Sequence, residues 1–205
     1  MTDLGFIHRY VPATRPGLPP LLLLHGTGGD ENDLVPLGAR LLPGTALVSP
    51  RGKVLENGMP RFFRRMAEGV FDVEDIKARA AELAQFIRDA RKAYGLDAPV
   101  AAGFSNGANI AAALLFLDPD ALRGAVLIRA MLPFEPEPQP RLSGKPVLML
   151  TGARDPIMPH AAVERLAAVL AAAGTAFTRK VLPAGHNLTP EDISIAAQWL
   201  EQRDD

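Results

Sequence analysis

Residues Pro99 to Phe104 form a β-prone apolar run that feeds into Gly103-Phe104-Ser105-Asn106-Gly107, and Ala108 to Leu117 continues as an alanine- and leucine-rich helix. Strand, sharp turn and helix in that order, with G-x-S-x-G at the turn, is the sequence form of a nucleophile elbow. The glycines have a steric reason. The bend holds the serine in a strained backbone conformation, and a side chain at either flank would strike the strand or helix beside it. An ordinary β-to-α turn would account for the pentapeptide alone, so its meaning depends on whether a base and an orienting acid follow in matching contexts.

The chain has 205 residues and 48% hydrophobic content, enough for one good core, and two domains would be cramped; a single domain over 1–205 is expected. Net charge is −1, with Lys and Arg spread along the sequence, so no nucleic-acid or anionic-membrane surface is indicated and small molecules are the expected partners. There is no cysteine, which removes disulfides, thiolate metal sites and a cysteine nucleophile together. Met1 to Tyr10 is mixed polar and apolar, and the longest apolar runs fall far below the ~18 residues of a membrane span, so a soluble cytoplasmic protein is expected. Asn187-Leu188-Thr189 matches the glycosylation pattern, read here as coincidence.

In chain order, Phe6 to Pro12 reads as a short edge strand and Pro12 to Pro20 as a proline-rich connector. Leu21 to Leu24 is a continuous apolar run of the kind buried on both faces of a parallel sheet, ending at His25-Gly26-Thr27-Gly28-Gly29. Asp30 and Asp33 flank the start of a helix through Leu42, and Thr45 to Ser49 is another buried strand. Arg51 to Gly69 has no clear period and carries four arginines around Phe62-Phe63; it reads as a long functional loop. Asp72-Val73-Glu74-Asp75 opens a helix that runs to Tyr94-Gly95. After the elbow, Ala125 to Ile128 is a strand and Arg129 to Pro140 is kept irregular by four prolines. Val147 to Thr151 (strand), Pro159 to Ala173 (helix), Ala176 to Leu182 (strand) and Pro190 to Glu201 (helix) complete an alternation that implies a mostly parallel sheet of about six or seven strands with helices on both faces.

A serine hydroxyl is a weak nucleophile near neutral pH unless a general base lies in reach. Of four histidines, His186 sits in a loop just after the last strand, at the end of the sheet where Ser105 must also emerge. His8 and His160 read as solvated, and His25 as a hydrogen-bonded structural residue of the glycine loop. The base needs a carboxylate to hold its tautomer. Asp155, in Gly152-Ala153-Arg154-Asp155-Pro156, also follows a strand. Taken singly, Asp155 is a turn residue and His186 a loop histidine; the order Ser105, Asp155, His186 in three matching contexts is that of α/β-hydrolases. Two backbone N–H groups must meet the oxyanion, and Asn106 and Thr27 occupy the positions for them. Gly26-Thr27-Gly28-Gly29 fits neither phosphate-binding glycine pattern, and Asp30, Glu31 and Asp33 read as helix caps rather than metal ligands.

Leu-Leu-His25-Gly26-Thr27-Gly28-Gly29-Asp30-Glu31, Gly103 to Gly107, Gly152 to Pro156 with Pro159, and Gly185-His186 together resemble the phospholipase/carboxylesterase family of the α/β-hydrolase superfamily, which also contains acyl-protein thioesterases. Gly58 to Arg65 and Glu68 to Asp72 are similar to its bacterial carboxylesterase branch. The resemblance implies cofactor-free ester hydrolysis through an acyl-enzyme, with Ser105, Asp155 and His186 as triad and Thr27 and Asn106 at the oxyanion hole. Thioesterase members usually carry leucine and glutamine where this chain has Thr27 and Asn106, which argues against a preference for long-chain thioesters. Dienelactone hydrolases are also similar but use a cysteine, absent here.

Short connectors leave little or no lid, with Arg51 to Gly69 and Arg129 to Pro140 as cleft walls, so short-acyl or small aromatic esters are the expected substrates. Phe62, Phe63, Met131, Leu132 and Phe134 could line the cleft or pack in the core. Arg129 could meet an anionic substrate group, a surface ion pair being its plainer role. The alternatives are a lysophospholipase or acyl thioesterase and, in a different class, a non-catalytic ligand-binding protein on a hydrolase scaffold. An edge strand or the Phe62-Phe63 loop could support a homodimer.

Overall fold

The computed structural model describes residues 4–202; the first three residues of the Met1–Tyr10 stretch and the last three of the expected 1–205 domain lie outside the described residues. The strands are β1 (His8–Val11), β2 (Leu21–Leu24), β3 (Leu47–Pro50), β4 (Val54–Glu56), β5 (Met59–Arg61), β6 (Arg65–Ala67), β7 (Val70–Phe71), β8 (Val100–Phe104), β9 (Gly124–Ile128), β10 (Pro146–Gly152) and β11 (Ala176–Leu182). The helices are α1 (Val35–Leu41), α2 (Val73–Tyr94), α3 (Asn106–Leu117), α4 (His160–Ala172) and α5 (Pro190–Glu201). Seven strands form one sheet in the order β1-β3-β2-β8-β9-β10-β11. Only β1 is antiparallel, paired with β3; the other pairings are parallel. This is the α/β-hydrolase fold expected from the sequence.

Successive side chains of a strand point to opposite faces, so Leu21-Leu22-Leu23-Leu24 feeds two cores. Leu22 and Leu24 join Ile76 and Leu83 of α2, Ile110 and Leu114 of α3, and Val163 and Leu166 of α4. Leu21 and Leu23 join Leu41 of α1 and Ala196, Trp199 and Leu200 of α5. Helix α3 is buried from Asn106 through Leu115, which explains why its sequence is apolar on every side. Helix α2 begins with the Asp72 side chain accepting the Asp75 N–H and ends with Gly95 at φ 65°, the stop signals its sequence carries. Among the described residues no helix is long and apolar enough to cross a membrane.

Three local readings are corrected. Arg51 to Gly69 is not a structureless loop: β4–β5 and β6–β7 are two antiparallel hairpins. The first turns on Asn57-Gly58, both at positive φ, the two-residue turn whose twist suits a hairpin. Three-residue strands are too short for an alternating pattern to stand out. The acidic residues after the glycine loop do not cap α1, whose cap position is Leu34 with no side-chain hydrogen bond. Instead Asp30 Oδ1 accepts the Asn32 N–H at 2.7 Å, and Glu31 takes Arg51 Nε and Nη2 at 2.5 and 2.9 Å. His8 is half-buried rather than solvated: Nδ1 donates to the Phe6 carbonyl at 2.8 Å and Nε2 lies 2.7 Å from the Tyr94 hydroxyl, tying β1 to the end of α2.

The elbow packs without room for side chains at its two glycines. A Cβ on Gly107 would come within 1.9 Å of the Leu24 carbonyl oxygen, and one on Gly103 within 2.6 Å of the Gly107 oxygen. Helix α3 can cross β2 and β8 at this distance only without side chains there. Gly107→Ala is therefore expected to destabilise the fold by about 3 kcal/mol or more, read as a fall in the urea midpoint; an unchanged midpoint would show that the elbow has slack.

Candidate active site

The residues singled out in the sequence emerge at the carboxyl ends of the parallel strands. Ser105 follows β8, Thr27 follows β2, Asp155 follows β10 and His186 follows β11. Ser105 has φ 52° and ψ −114°, a left-handed conformation costing on the order of 1–3 kcal/mol for a residue with a Cβ. Its N–H still extends the sheet ladder, donating to the Ile128 carbonyl at 2.9 Å, while its side chain is lifted off the sheet at the start of α3.

His186 Nε2 lies 3.0 Å from Ser105 Oγ, and Nδ1 lies 2.9 Å from Asp155 Oδ2. With Nδ1–H donating to the carboxylate, Nε2 is left as the acceptor facing the serine. Asp155 is itself held: Oδ1 accepts the N–H groups of Ile157 at 2.9 Å and Met158 at 3.2 Å, so the other oxygen is free for the histidine. The carboxylate side chain is 4% exposed against 16% for the imidazole, so the imidazole is the more open of the two. Such an arrangement can deprotonate a hydroxyl and stabilise the imidazolium that results.

Arg129 does not meet a substrate or the surface. It is 1% exposed, at the exit of β9 with φ 56°, and pairs with fully buried Asp192 through Nη1–Oδ1 and Nη2–Oδ2, both 2.8 Å. Its Nε–H donates to the Gly185 carbonyl at 2.9 Å and Nη2 to the Asn187 carbonyl at 3.3 Å, gripping the chain on both sides of His186. Asp192 in turn accepts the Thr189 N–H and hydroxyl at 2.9 and 2.7 Å in a capping box at the start of α5. The sequence signal was present in Thr189-Pro190-Glu191-Asp192, a cap followed three residues on by an acid, but nothing in it links that acid to Arg129.

Of the other expected cleft residues, Phe62 and Phe63 are buried at 3% and 0% exposure and belong to the core, where Phe62 packs 4.7 Å from the His25 ring. Leu132 and Phe134 also pack on that core. Met131 does reach the opening beside Ser105, a narrow cleft of about 30 Å³. Its backbone N–H is held at 2.9 Å by Asn109 Oδ1, one turn along α3 from the serine. An asparagine inside an apolar helix, one turn after the serine, was the sequence sign of that role. Arg61, Arg65 and Glu68, not anticipated as site residues, form the opposite wall with Thr27. Arg65 donates to Glu56 at 2.9 Å and to Glu68 at 2.6 Å, so the wall is charged but compensated. A larger hollow of about 540 Å³ lies on the far side of Asp155, against Thr151, His160 and Arg179, but Ser105 does not open into it.

His25 is structural, as its context implies. Nδ1 donates to the Gly26 carbonyl at 2.7 Å and Nε2 accepts the Gly52 N–H at 2.9 Å. Burial lowers its pKa from the ordinary value, which keeps the ring neutral and Nε2 an acceptor. His160 is exposed and lies 3.4 Å from Glu164.

The sequence model of the Phospholipase/Carboxylesterase family matches residues 10–203. A protein named as a hydrolase, MhqD of Bacillus subtilis (strain 168), is 42% identical over 184 residues, covering 89% of this chain and 92% of its own. The carboxylesterase of Bacillus cereus superposes with a TM-score of 0.93 at 44% identity, covering 96% of this chain and 94% of that one. A carboxylesterase from Mesorhizobium loti superposes with a TM-score of 0.92 at 34% identity over 98% and 97% of the two chains.

Removing one partner of a buried ion pair strands the other charge, so Arg129→Met is expected to cost about 3–5 kcal/mol in urea denaturation. Adding Asp192→Asn, which removes the stranded charge but keeps a capping oxygen, should recover part of that loss; a double variant less stable than the single one would refute the pairing argument.

Proposed function

Since the chain belongs to the phospholipase/carboxylesterase family of hydrolases, we propose that it is a serine carboxylesterase acting on small carboxylic esters through an acyl-enzyme. The observation that carries the reading is the Ser105–His186–Asp155 hydrogen-bonded chain, built on a serine whose backbone is held at positive φ.

On this reading His186 Nε2 takes the Ser105 hydroxyl proton as Oγ attacks the ester carbonyl, and the imidazolium is stabilised by Asp155. The carbonyl oxygen becomes an oxyanion beside the Thr27 and Asn106 N–H groups. The Asn106 N–H lies in the first turn of α3, where no carbonyl within the helix can take it, and the helix dipole favours negative charge there. His186 then returns its proton to the departing alkoxide. A water molecule repeats the sequence on the acyl-enzyme and releases the carboxylic acid. No step requires a metal or an organic cofactor.

The narrowness of the cleft beside Ser105 supports small substrates. Met66 and Val70, on the second hairpin, and Ile157 are exposed apolar residues of the surrounding surface, and they are the one feature that favours the lysophospholipase or acyl-thioesterase reading. The intact hydrogen-bonded chain weighs against a non-catalytic scaffold.

For p-nitrophenyl esters of increasing acyl length, kcat/KM is expected to fall from acetyl and butyryl toward palmitoyl. Ser105→Ala should lower turnover by at least ~10³-fold. Full activity in that variant would overturn the serine mechanism, whereas a rise toward palmitoyl would leave it standing and transfer the substrate class to long acyl chains.

A further inference from the structure

Three consecutive residues at the end of the first hairpin reach both loops that carry the oxyanion donors. The Pro60 carbonyl accepts the Gly28 N–H at 2.9 Å, next to Thr27. Arg61 Nη1 donates to Thr27 Oγ1 at 2.6 Å. The Phe62 N–H donates to Asn106 Oδ1 at 2.7 Å. These contacts bridge the loop after β2 and the elbow after β8 from a segment in neither of them.

The bridge is anchored from behind. Arg61 is 3% exposed; its Nε–H donates to the Phe63 carbonyl at 3.2 Å and lies 3.2 Å from Glu56. As an arginine it stays charged despite burial. Gly52 passes so close to it that a Cβ there would fall 2.3 Å from the Arg61 carbonyl carbon and oxygen, and the Gly52 N–H is the one that His25 Nε2 accepts. His25 begins the Thr27 loop, so Gly52, Arg61, Thr27 and His25 close a ring of contacts. At Asn106 the Phe62 N–H fixes which amide atom is the oxygen, since Nδ2 is buried and has no hydrogen-bond partner among the described residues.

We infer that Pro60-Arg61-Phe62 is the positioning element of the oxyanion hole, with Arg61 setting the Thr27 N–H and Phe62 setting Asn106. The inference rests on the proposed roles of Thr27 and Asn106. An oxyanion hole acts by preorganised geometry, and displacement of a group by about 1 Å can cost on the order of 10²-fold in rate. Neither Arg61 nor Phe62 needs to touch the substrate. The guanidinium also places a poorly solvated positive charge behind the donor toward which negative charge develops.

The test uses Arg61→Gln, Thr27→Val and Thr27→Ser, with Ser105→Ala as the reference for the serine mechanism. Thr27 is exposed, so its variants should fold even if loss of buried Arg61 proves costly. Arg61→Gln should lower kcat on p-nitrophenyl acetate by about 10–10²-fold and Thr27→Val by about 10-fold, with KM changed less than about threefold. Thr27→Ser keeps Oγ1 and should recover most of the loss. Phenylboronic acid, whose boron accepts the Ser105 oxygen to form a tetrahedral adduct as the serine proton passes to His186, should bind more weakly by the same factor as kcat falls. A purely structural role would not make kcat and boronate affinity move together. If Thr27→Val stays within twofold of wild type in kcat and boronate affinity while Ser105→Ala is inactive, or if the loss falls in KM alone, the positioning role is wrong. An active Ser105→Ala would instead remove the serine reading beneath it.

Discussion

The contact on which the rest depends is the bare approach of Gly107 to the Leu24 carbonyl. It lets α3 start directly above the junction of β2 and β8, and this in turn holds Ser105 at φ 52° with its hydroxyl clear of the sheet. An isolated turn would relax from that conformation. Here the Ser105 N–H is tied to β9 and the helix behind it is buried along ten residues, so burial of many apolar side chains offsets the local strain. The same contact places the Thr27 loop beside Asn106, because Leu24, the residue against which Gly107 packs, is the last residue of the strand leading into that loop.

On the proposed mechanism a fixed serine is of use only if the base, carried by a different loop, is equally fixed. Asp155 comes from β10 and His186 from β11, an edge strand of the sheet on which every residue but Leu182 is exposed or partly so. The weakness of an edge is met by the buried Arg129–Asp192 pair, which binds the exit of β9, the carbonyls of Gly185 and Asn187, and the first turn of α5 into one unit. Desolvating two charges is expensive, and a pair of apolar residues would be no less stable. What the ion pair adds is direction: a planar guanidinium donates to named carbonyls on either side of one histidine, which a leucine cannot do.

The framework was readable from the sequence because it rests on local signals. Buried parallel strands are continuous apolar runs, as at Leu21–Leu24, and α2 carries its own cap and stop in Asp72 and Gly95. The order of Ser105, Asp155 and His186 was visible because each lies within a few residues of a strand end. What escaped depends on contacts far apart in the chain. Arg129 read as a surface or substrate-facing charge because its partner lies 63 residues away. Phe62 and Phe63 read as cleft lining because exposure cannot be told from a segment with no visible period. The Asn57-Gly58 turn was legible in principle, but its flanking strands are only three residues long. Asp30, Glu31 and Asp33 had the composition of caps while α1 starts later, at Val35, so charge alone misplaced their partners.

The corrected hairpins also change how the cleft is understood. As a loop, Arg51 to Gly69 would be a wall that adapts to whatever substrate enters. As two hairpins it is a built part, with Arg61 and Arg65 sharing Glu56 and with Phe62 and Phe63 rooted in the core. The cleft lining thus combines a compensated set of charges, held by contacts to the Thr27 loop and Asn106, with the apolar Met131, Ile157 and Met158. On the proposed esterase reading, polar groups locked in this way suit the carbonyl end of an ester, where charge would appear and disappear, since they need not reorganise as it does. On that reading the half-buried Met158 thioether, an adaptable apolar group, suits the remainder of the ester. On that reading rigidity is concentrated where the reaction would demand it, in the hairpin wall packed beside Ser105.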